Sequence, residues 1–309
     1  MSIKQISVFV ENKPGSRSAM TSVLAENEID MRALSLAETG DFGIVRIIVK
    51  DLYKATTVLK DAGYIHSLTD VLGVKIAHIT NAEALEISKG LLASEGVSKI
   101  FTPNPEIIMA AQEDTELKEI LNSADLCTAD GIGVVYASKI LGEPLPERVA
   151  GFDLACSLLE HISHTGDGVF LFGAKPGVAE IAKAKLESKY PGIKVSGTRN
   201  GYFKDEDCDE IVEEINNSGA KLLLVCLGAP KQEKWINKYK DSLKVSLCMG
   251  VGGTLDVLAG TAKRAPEVFI KLNLEWAYRF MKQPNRIISR GKALPQFLIK
   301  VINSKGEKK

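Results

Sequence analysis

Short blocks of this 309-residue sequence set hydroxyl, carboxamide and carboxylate side chains beside turn residues. In Thr102-Pro103-Asn104-Pro105-Glu106, which closes an apolar run, Asn104 followed by Pro105 reads as the N-cap and first turn of a helix. The same polar pair, Thr102 and Asn104, is also placed to hold a sugar hydroxyl. Thr128-Ala129-Asp130-Gly131-Ile132-Gly133 repeats the arrangement with an acid. Asp130 is a helix cap on one reading. On the other it is a general base, taking the proton of an attacking hydroxyl as that oxygen displaces a leaving group. The flanking glycines let a substrate come close to the backbone.

Two further blocks offer backbone N–H groups. Gly168 to Gly177 reads as strand, glycine turn and helix start, so Gly173 and Ala174 can face a nucleotide or its phosphates. The block lacks the dinucleotide fingerprint and the Walker lysine, which disfavours a dehydrogenase or an ATPase. Gly228-Ala229-Pro230-Lys231-Gln232-Glu233 and Gly250 to Asp256 follow two very apolar runs. Singly they are ordinary loops; together Gln232, Asp256 and the backbone at Gly228 and Gly253 suit uracil and pyrophosphate recognition. Asp205-Glu206-Asp207-Cys208-Asp209 has a D-x-D spacing that can hold a metal, but acids in a first helical turn are favoured by the helix dipole, which is the preferred reading. The four histidines form no ligand cluster, although His161 and His164 share a helix face. The five cysteines are single and read as buried, reduced thiols.

The elements that must carry these groups divide the chain. Residues 1–74 alternate strand, helix, strand, strand, helix, strand, a ferredoxin-like α+β pattern, with Ile65 to Val74 as the closing strand. From residue 75 helices alternate with short apolar strands, the pattern of a mostly parallel, Rossmann-like α/β sheet covered on both faces. Strands are expected at Ser98–Phe101, Asp125–Thr128, Gly168–Phe172, Ile193–Ser196, Lys221–Leu227 and Val245–Met249. Residues 75–264 form this domain, and 265–309 form an appendage. Thr80 and Glu83 make a capping box at its first helix. Segment 67–76 can serve as the last strand of one domain or the first of the other.

Net charge is zero, but Thr261 to Lys309 holds twelve Lys or Arg against three acids, leaving the rest acidic. In this tail Trp276, Tyr278, Phe280 and Phe297 are interleaved with basic residues, a composition favouring an anionic bilayer surface. Arg279, Arg286 and Arg290 are candidate forks for a departing diphosphate. No apolar run reaches the ~18 residues that cross a bilayer, and the start lacks a secretory pattern, so a cytoplasmic protein is expected.

The blocks FTPNPEIIMAAQ, NSADLCTADGIGVV, ERVAGFDL, LFGAKPG, RNGYF, LGAPKQEKW, GVGGTLDVLAG and RAPEVFIKLNLEWAYRF, in this order over about residues 72–309, resemble the WecG/TagA/CpsF glycosyltransferases. VENKPG, ENEIDMRALSLAET and DFGIVRIIV resemble ACT domains, with NKPGS in place of the usual NKPGR. The first resemblance implies an inverting transfer, without metal or cofactor, from a UDP-sugar, often N-acetylmannosamine, to N-acetylglucosamine on undecaprenyl diphosphate. On this chain it implies Asp130 as base, Thr102 and Asn104 beside it, Gln232 as an active-site amide and Asp256 at uracil. Arg199 to Tyr202 fall in the donor region, and the appendage docks at the inner face of the bacterial membrane. Ala129 stands where proline is usual, and Gln283-Pro284 where glutamate precedes the proline. The ACT resemblance implies an amino-acid ligand, a homo-oligomer, or both. The appendage is expected to close the site on lipid, so that truncation near Arg264 abolishes activity. The runner-up reading is a non-catalytic nucleotide-sugar sensor; a nucleic-acid partner is not expected, because the tail's aromatics accompany aliphatic runs.

Overall fold

The computed structural model describes residues 5–11, 13–38, 42–62, 68–271, 274, 275, 278 and 293–307. In chain order the first elements are β1 (Gln5–Glu11), α1 (Ser16–Glu26), β2 (Met31–Glu38), β3 (Phe42–Val49) and α2 (Leu52–Asp61). The strands form an antiparallel sheet of order β1-β3-β2. Period-two alternation sends Ile6, Val8 and Val10 of β1, and Val45, Ile47 and Val49 of β3, to one face. There they bury Met20 and Leu24 of α1 and Ala55 and Leu59 of α2. Gly15 takes a left-handed φ of 88° at the start of α1, which only glycine adopts without strain.

The fourth strand departs from the ferredoxin-like expectation. β4 (Leu68–Val71) does not join β1 among the described residues; it pairs antiparallel with β5 (Val74–Ala77) as a separate hairpin. Leu72 and Gly73 both have positive φ, 56° and 83°, the conformation of a two-residue hairpin turn. Asp70 Oδ1 accepts the Gly73 N–H at 2.8 Å. Val71, Val74 and Ile76 are buried in the core of the second sheet, so burial rather than the strand pattern decides where this segment belongs.

The remaining elements are α3 (Asn81–Ala93), β6 (Ser98–Phe101), α4 (Pro105–Glu113), α5 (Thr115–Asn122), β7 (Leu126–Cys127), α6 (Ile132–Leu141) and α7 (Gly151–Thr165). They continue as β8 (Gly168–Gly173), α8 (Val178–Lys189), β9 (Lys194–Arg199), α9 (Cys208–Asn217), β10 (Leu222–Cys226) and α10 (Lys231–Tyr239). The last are β11 (Leu247–Gly250), α11 (Thr254–Leu258), α12 (Glu267–Lys271) and α13 (Ala293–Glu307). The Thr80–Glu83 capping box opens α3 as expected.

Six strands form one sheet of order β7-β6-β11-β10-β8-β9, and every pair in it is parallel. Both faces are covered, so β8 and β10 are buried throughout, which is why they read as unbroken apolar runs. Along β10, Leu223 and Val225 face the core shared with α4, α5, α6, α9, α10 and α13. Leu222, Leu224 and Cys226 face the core shared with α3, α7, α8 and α11. Four of the five cysteines are buried, and burial pushes the Cys226 thiol up to about 12. Between the two sheets, Arg46 of β3 donates to Ser94 Oγ at 3.0 Å, Ser98 Oγ at 2.9 Å and Glu95 O at 3.1 Å.

Within the second sheet Lys99 of β6 is 4% exposed and donates from Nζ to Ser123 Oγ at 2.8 Å and Asn237 Oδ1 at 3.0 Å. Burial, aided by Lys240, lowers its pKa from 10.5 to about 8. Between those values the unfolded chain binds more protons at this site than the folded one, so stability should rise with pH from about 8 to 10.5. The slope from one group is at most about 1.4 kcal/mol per pH unit. Subtracting denaturation curves of Lys99→Met from those of the native chain should isolate it. Equal slopes would show that folding does not lower the Lys99 pKa.

The described end of the tail packs on the protein body. α13 lies along α4 and α6, and its Phe297 and Val301 are fully buried in the main core. Its principal apolar stripe is therefore used by the protein body, leaving Ile299 and Ile302 exposed at 58% and 57%. No helix among the described residues is long and apolar enough to cross a membrane. Arg279, Arg286 and Arg290, with Trp276, Phe280 and the Gln283-Pro284 pair, lie outside the described residues.

Candidate active site

Because the strands of the second sheet are parallel, their carboxyl ends share one edge, where open α/β sheets gather ligand groups. The strand order makes β7, β6, β11 and β10 consecutive neighbours. The loops that follow these four strands line a cleft of about 750 Å³. Thr102 and Asn104 come from the β6 end, Asp130 from β7, Gly228 and Gln232 from β10, and Gly252, Gly253 and Asp256 from β11. Eight residues spread over 155 positions of sequence thus meet in one place.

Each is aimed by local geometry. Asn104 Oδ1 accepts the Ile107 N–H at 3.0 Å as N-cap of α4, with Pro105 in the first turn. Its carboxamide oxygen is committed to the cap, so the NH2 group is what it can offer a ligand. The helix-cap reading of this block therefore holds. Asp130 is anchored by its own N–H to Pro103 O at 3.1 Å. Gly131, at φ 104°, then turns the chain into α6 against Pro105. Ala129 is buried, and its carbonyl accepts the Val149 N–H at 3.0 Å; Thr128 Oγ1 donates to Val149 O at 3.2 Å. The turn that carries Asp130 is thus pinned by the 147–149 segment without needing proline at 129.

Thr102 is buried at the back of the cleft, where the start of α7 crosses it. A methyl group built on Gly151 would sit 2.5 Å from Thr102 Oγ1 and 3.1 Å from its Cβ. Gly151→Ala should displace Thr102 and lower turnover about tenfold or more, since displacements near 1 Å cost up to about 100-fold. Steady-state rates measured alongside Tm check this, and an unaffected rate would place Thr102 outside the reaction.

On the opposite wall Gln232, 3% exposed, accepts the Gly252 N–H at its Oε1 at 2.9 Å and donates from Nε2 to Glu233 Oε1 at 2.9 Å. Gln232 packs over Gly250, where a Cβ would meet its amide at 3.1 Å. Asp256 accepts from Thr261 Oγ1 at 3.3 Å.

The cleft's ionic lining has four acids, Glu106, Asp130, Asp256 and Glu275, against Lys263 and Arg264 among the described residues. Arg264 donates to Asp153 Oδ2 at 2.7 Å and lies 4.7 Å from the Phe152 ring centre. Glu275 accepts from Arg148 Nη1 at 3.1 Å, and Arg148 also approaches Asp153 at 3.7 Å. This ladder of Arg148, Asp153, Arg264 and Glu275 at the cleft mouth escaped the sequence reading. Its only trace there was the presence of acidic and basic residues in the ERVAGFDL and RAPEVF blocks, since its partners lie 111 and 127 residues apart.

Four expected donor contacts fall outside the cleft lining, because β8 and β9 stand at the far end of the sheet. Gly173, at φ 131°, lies where a Cβ would come 2.3 Å from Cys226 O, so packing alone demands glycine there. The Ala174 N–H donates to Cys226 O at 3.0 Å instead of facing a ligand. Arg199 pairs with Glu214 at 3.1 Å and Glu210 at 3.6 Å. Tyr202 is 67% exposed. Beside them Lys231 of α10 reaches Gly201 O at 3.4 Å and lies 3.9 Å from the Phe203 ring centre. The acids of the D-x-D block form a 3₁₀ turn, Asp205–Asp207, in which Asp207 accepts the Lys204 N–H at 2.8 Å. Among the described residues no three His, Cys, Asp or Glu converge on a metal position.

Comparison with known proteins places this cleft in context. Residues 69–309 match the profile described as "Glycosyl transferase WecG/TagA/CpsF family", and residues 1–101 match "ACT domain pair". The chain is 38% identical over 240 residues to a Staphylococcus aureus (strain MW2) protein, covering 76% of this chain and 92% of that one. It is 38% identical over 203 residues to a Bacillus spizizenii protein, covering 66% and 78%. Both relatives are named N-acetylglucosaminyldiphosphoundecaprenol N-acetyl-beta-D-mannosaminyltransferase.

Proposed function

Since the chain belongs to the WecG/TagA/CpsF family of glycosyltransferases, we propose that it moves N-acetylmannosamine or a related sugar from UDP to N-acetylglucosamine on undecaprenyl diphosphate, in wall teichoic acid or surface polysaccharide synthesis. The observation that carries this reading is the convergence of Thr102, Asn104, Asp130, Gln232 and Asp256 on one cleft at four adjacent strand ends.

In this reading Asp130 takes the proton of the acceptor hydroxyl as its oxygen attacks the anomeric carbon, and UDP leaves from the opposite face. D-sugars are α-linked in UDP-sugars, so the beta linkage in the relatives' names supports inversion in a single displacement. Thr102 and the Asn104 NH2 group orient sugar hydroxyls, while Gln232 holds the Gly252 loop against the donor. Asp256 reads the uracil. Transfer proceeds without a metal, so cations must balance the departing diphosphate. Lys263 lines the cleft for this task, and Arg279 and Arg286 of the tail are assigned the same role. Gly173, Ala174, Arg199 and Tyr202, outside the cleft lining, are assigned to the donor side.

The enzyme works on the inner face of the bacterial cell membrane, where an undecaprenyl-linked acceptor is held, and the basic tail favours its anionic surface. The N-terminal sheet pairs two chains and takes a small ligand such as an amino acid. UDP release from UDP-N-acetylmannosamine, measured in chelator-containing buffer with and without the lipid acceptor, tests the proposal. Acceptor-dependent release is expected. No release from any common UDP-sugar would turn the reading to a nucleotide-sugar sensor.

A further inference from the structure

Glu233 is an acid in an unusual place. It is 1% exposed, its Oε1 accepts from Gln232 Nε2 at 2.9 Å, and its Oε2 has no hydrogen-bond partner among the described residues. No ion pair reaches it among the described residues, and it lies behind the cleft wall, outside the lining that includes Gln232. The first turn of α10 favours a negative charge there. Burial without a cation costs more than that dipole returns, so the carboxyl holds its proton above the usual carboxylate range.

A carboxamide can turn over, exchanging its oxygen and NH2 at little steric cost, unless its partners distinguish them. Gln232 faces one obligate donor, the Gly252 N–H at 2.9 Å, and one acceptor, Glu233 Oε1. We infer that Glu233 is a positioning residue that fixes the orientation of the Gln232 carboxamide and, through it, the Gly252 amide of the loop closing the cleft. The oxygen of Gln232 is thereby committed to the loop, one N–H is committed to Glu233, and the second N–H is left to serve the cleft. That Gln232 serves a sugar donor rests on the reading above; the clamp on Gly252 stands apart from it.

The experiment compares the full-length native chain with Glu233→Gln, which keeps a carbonyl acceptor, and Glu233→Met, which fills similar volume and removes it. Three quantities are read: hydrogen–deuterium exchange at the Gly252 amide, UDP release with the lipid acceptor, and Tm. Glu233→Gln should match the native chain in exchange and lie within about threefold in turnover. Glu233→Met should exchange at Gly252 about tenfold faster and lose about tenfold in kcat, with Tm not lowered, a combination that loss of packing alone does not produce. Native exchange at Gly252 in Glu233→Met overturns the inference. So does a Glu233→Gln variant that exchanges faster or turns over tenfold slower, because a carbonyl acceptor at this position would then not suffice; this arm decides even if Glu233→Met fails to fold. Should the native chain release no UDP from any donor, the function assigned above fails, while the exchange result still decides the clamp.

Discussion

Replacing Asp130 with asparagine is expected to lower acceptor-dependent UDP release by about 10²- to 10⁴-fold, the range for loss of a positioned general base. The asparagine is isosteric, so the turn should survive. Asp130 is held there by its backbone N–H to Pro103 O, by Gly131 and by the Val149 pins behind it, none of which uses the carboxylate. Tm and UDP affinity should therefore stay close to native values, confining the loss to kcat. The control is Glu106, a carboxylate in the first turn of α4 that lines the same cleft. If Asp130→Asn stays within tenfold of native turnover and Glu106→Gln does not, the base is Glu106.

Phe297→Ala should destabilise the protein by about 3–5 kcal/mol, as deletion of a fully buried aromatic ring usually does. For a chain of this size that corresponds to a Tm lowered by about 10 °C. The ring is packed from α13 into the core beneath α4 and α6. The amino ends of those helices carry Asn104 and Gly131, beside Asp130. Removing it should therefore lower activity in detergent as well as on membranes. Ile299→Ser, on the exposed side of the same helix, should leave Tm within about 1 °C. A truncation at Arg264 removes α13 altogether, so loss of activity in that variant would report core damage before membrane dependence. If Phe297→Ala keeps native Tm by thermal denaturation, the packing of α13 against the body is wrong.

Much of the fold was legible because its signals are short-range. Buried strands such as Leu222–Cys226 read as unbroken apolar runs because both faces are covered. The Thr80–Glu83 and Asn104-Pro105 helix starts are chemistry within four residues. Asp130 stands out as an acid between a strand and a glycine turn, where helix capping and proton abstraction are equally open from sequence. By contrast, the strand-like segment at 68–71 stays open between the two domains in the sequence. Its pattern is equally good for either partner, and only the Leu72-Gly73 turn and the burial of Val71 and Val74 select one.

The sequence by itself determined the two kinds of unit, the elements of each, and the polar residues at strand ends, since periodicity, capping and turn preference act between neighbours in the chain. The tertiary structure decided which strand ends meet. The order β7-β6-β11-β10-β8-β9 brings Thr102, Asp130, Gln232 and Asp256 to one cleft and carries Arg199 and Tyr202 to its far side. It also buried Glu233 behind Gln232, joined Arg148 to Glu275, and turned Phe297 into the core. These outcomes depend on contacts across more than a hundred residues in most cases, and on the burial those contacts create, neither of which leaves a local mark in the sequence.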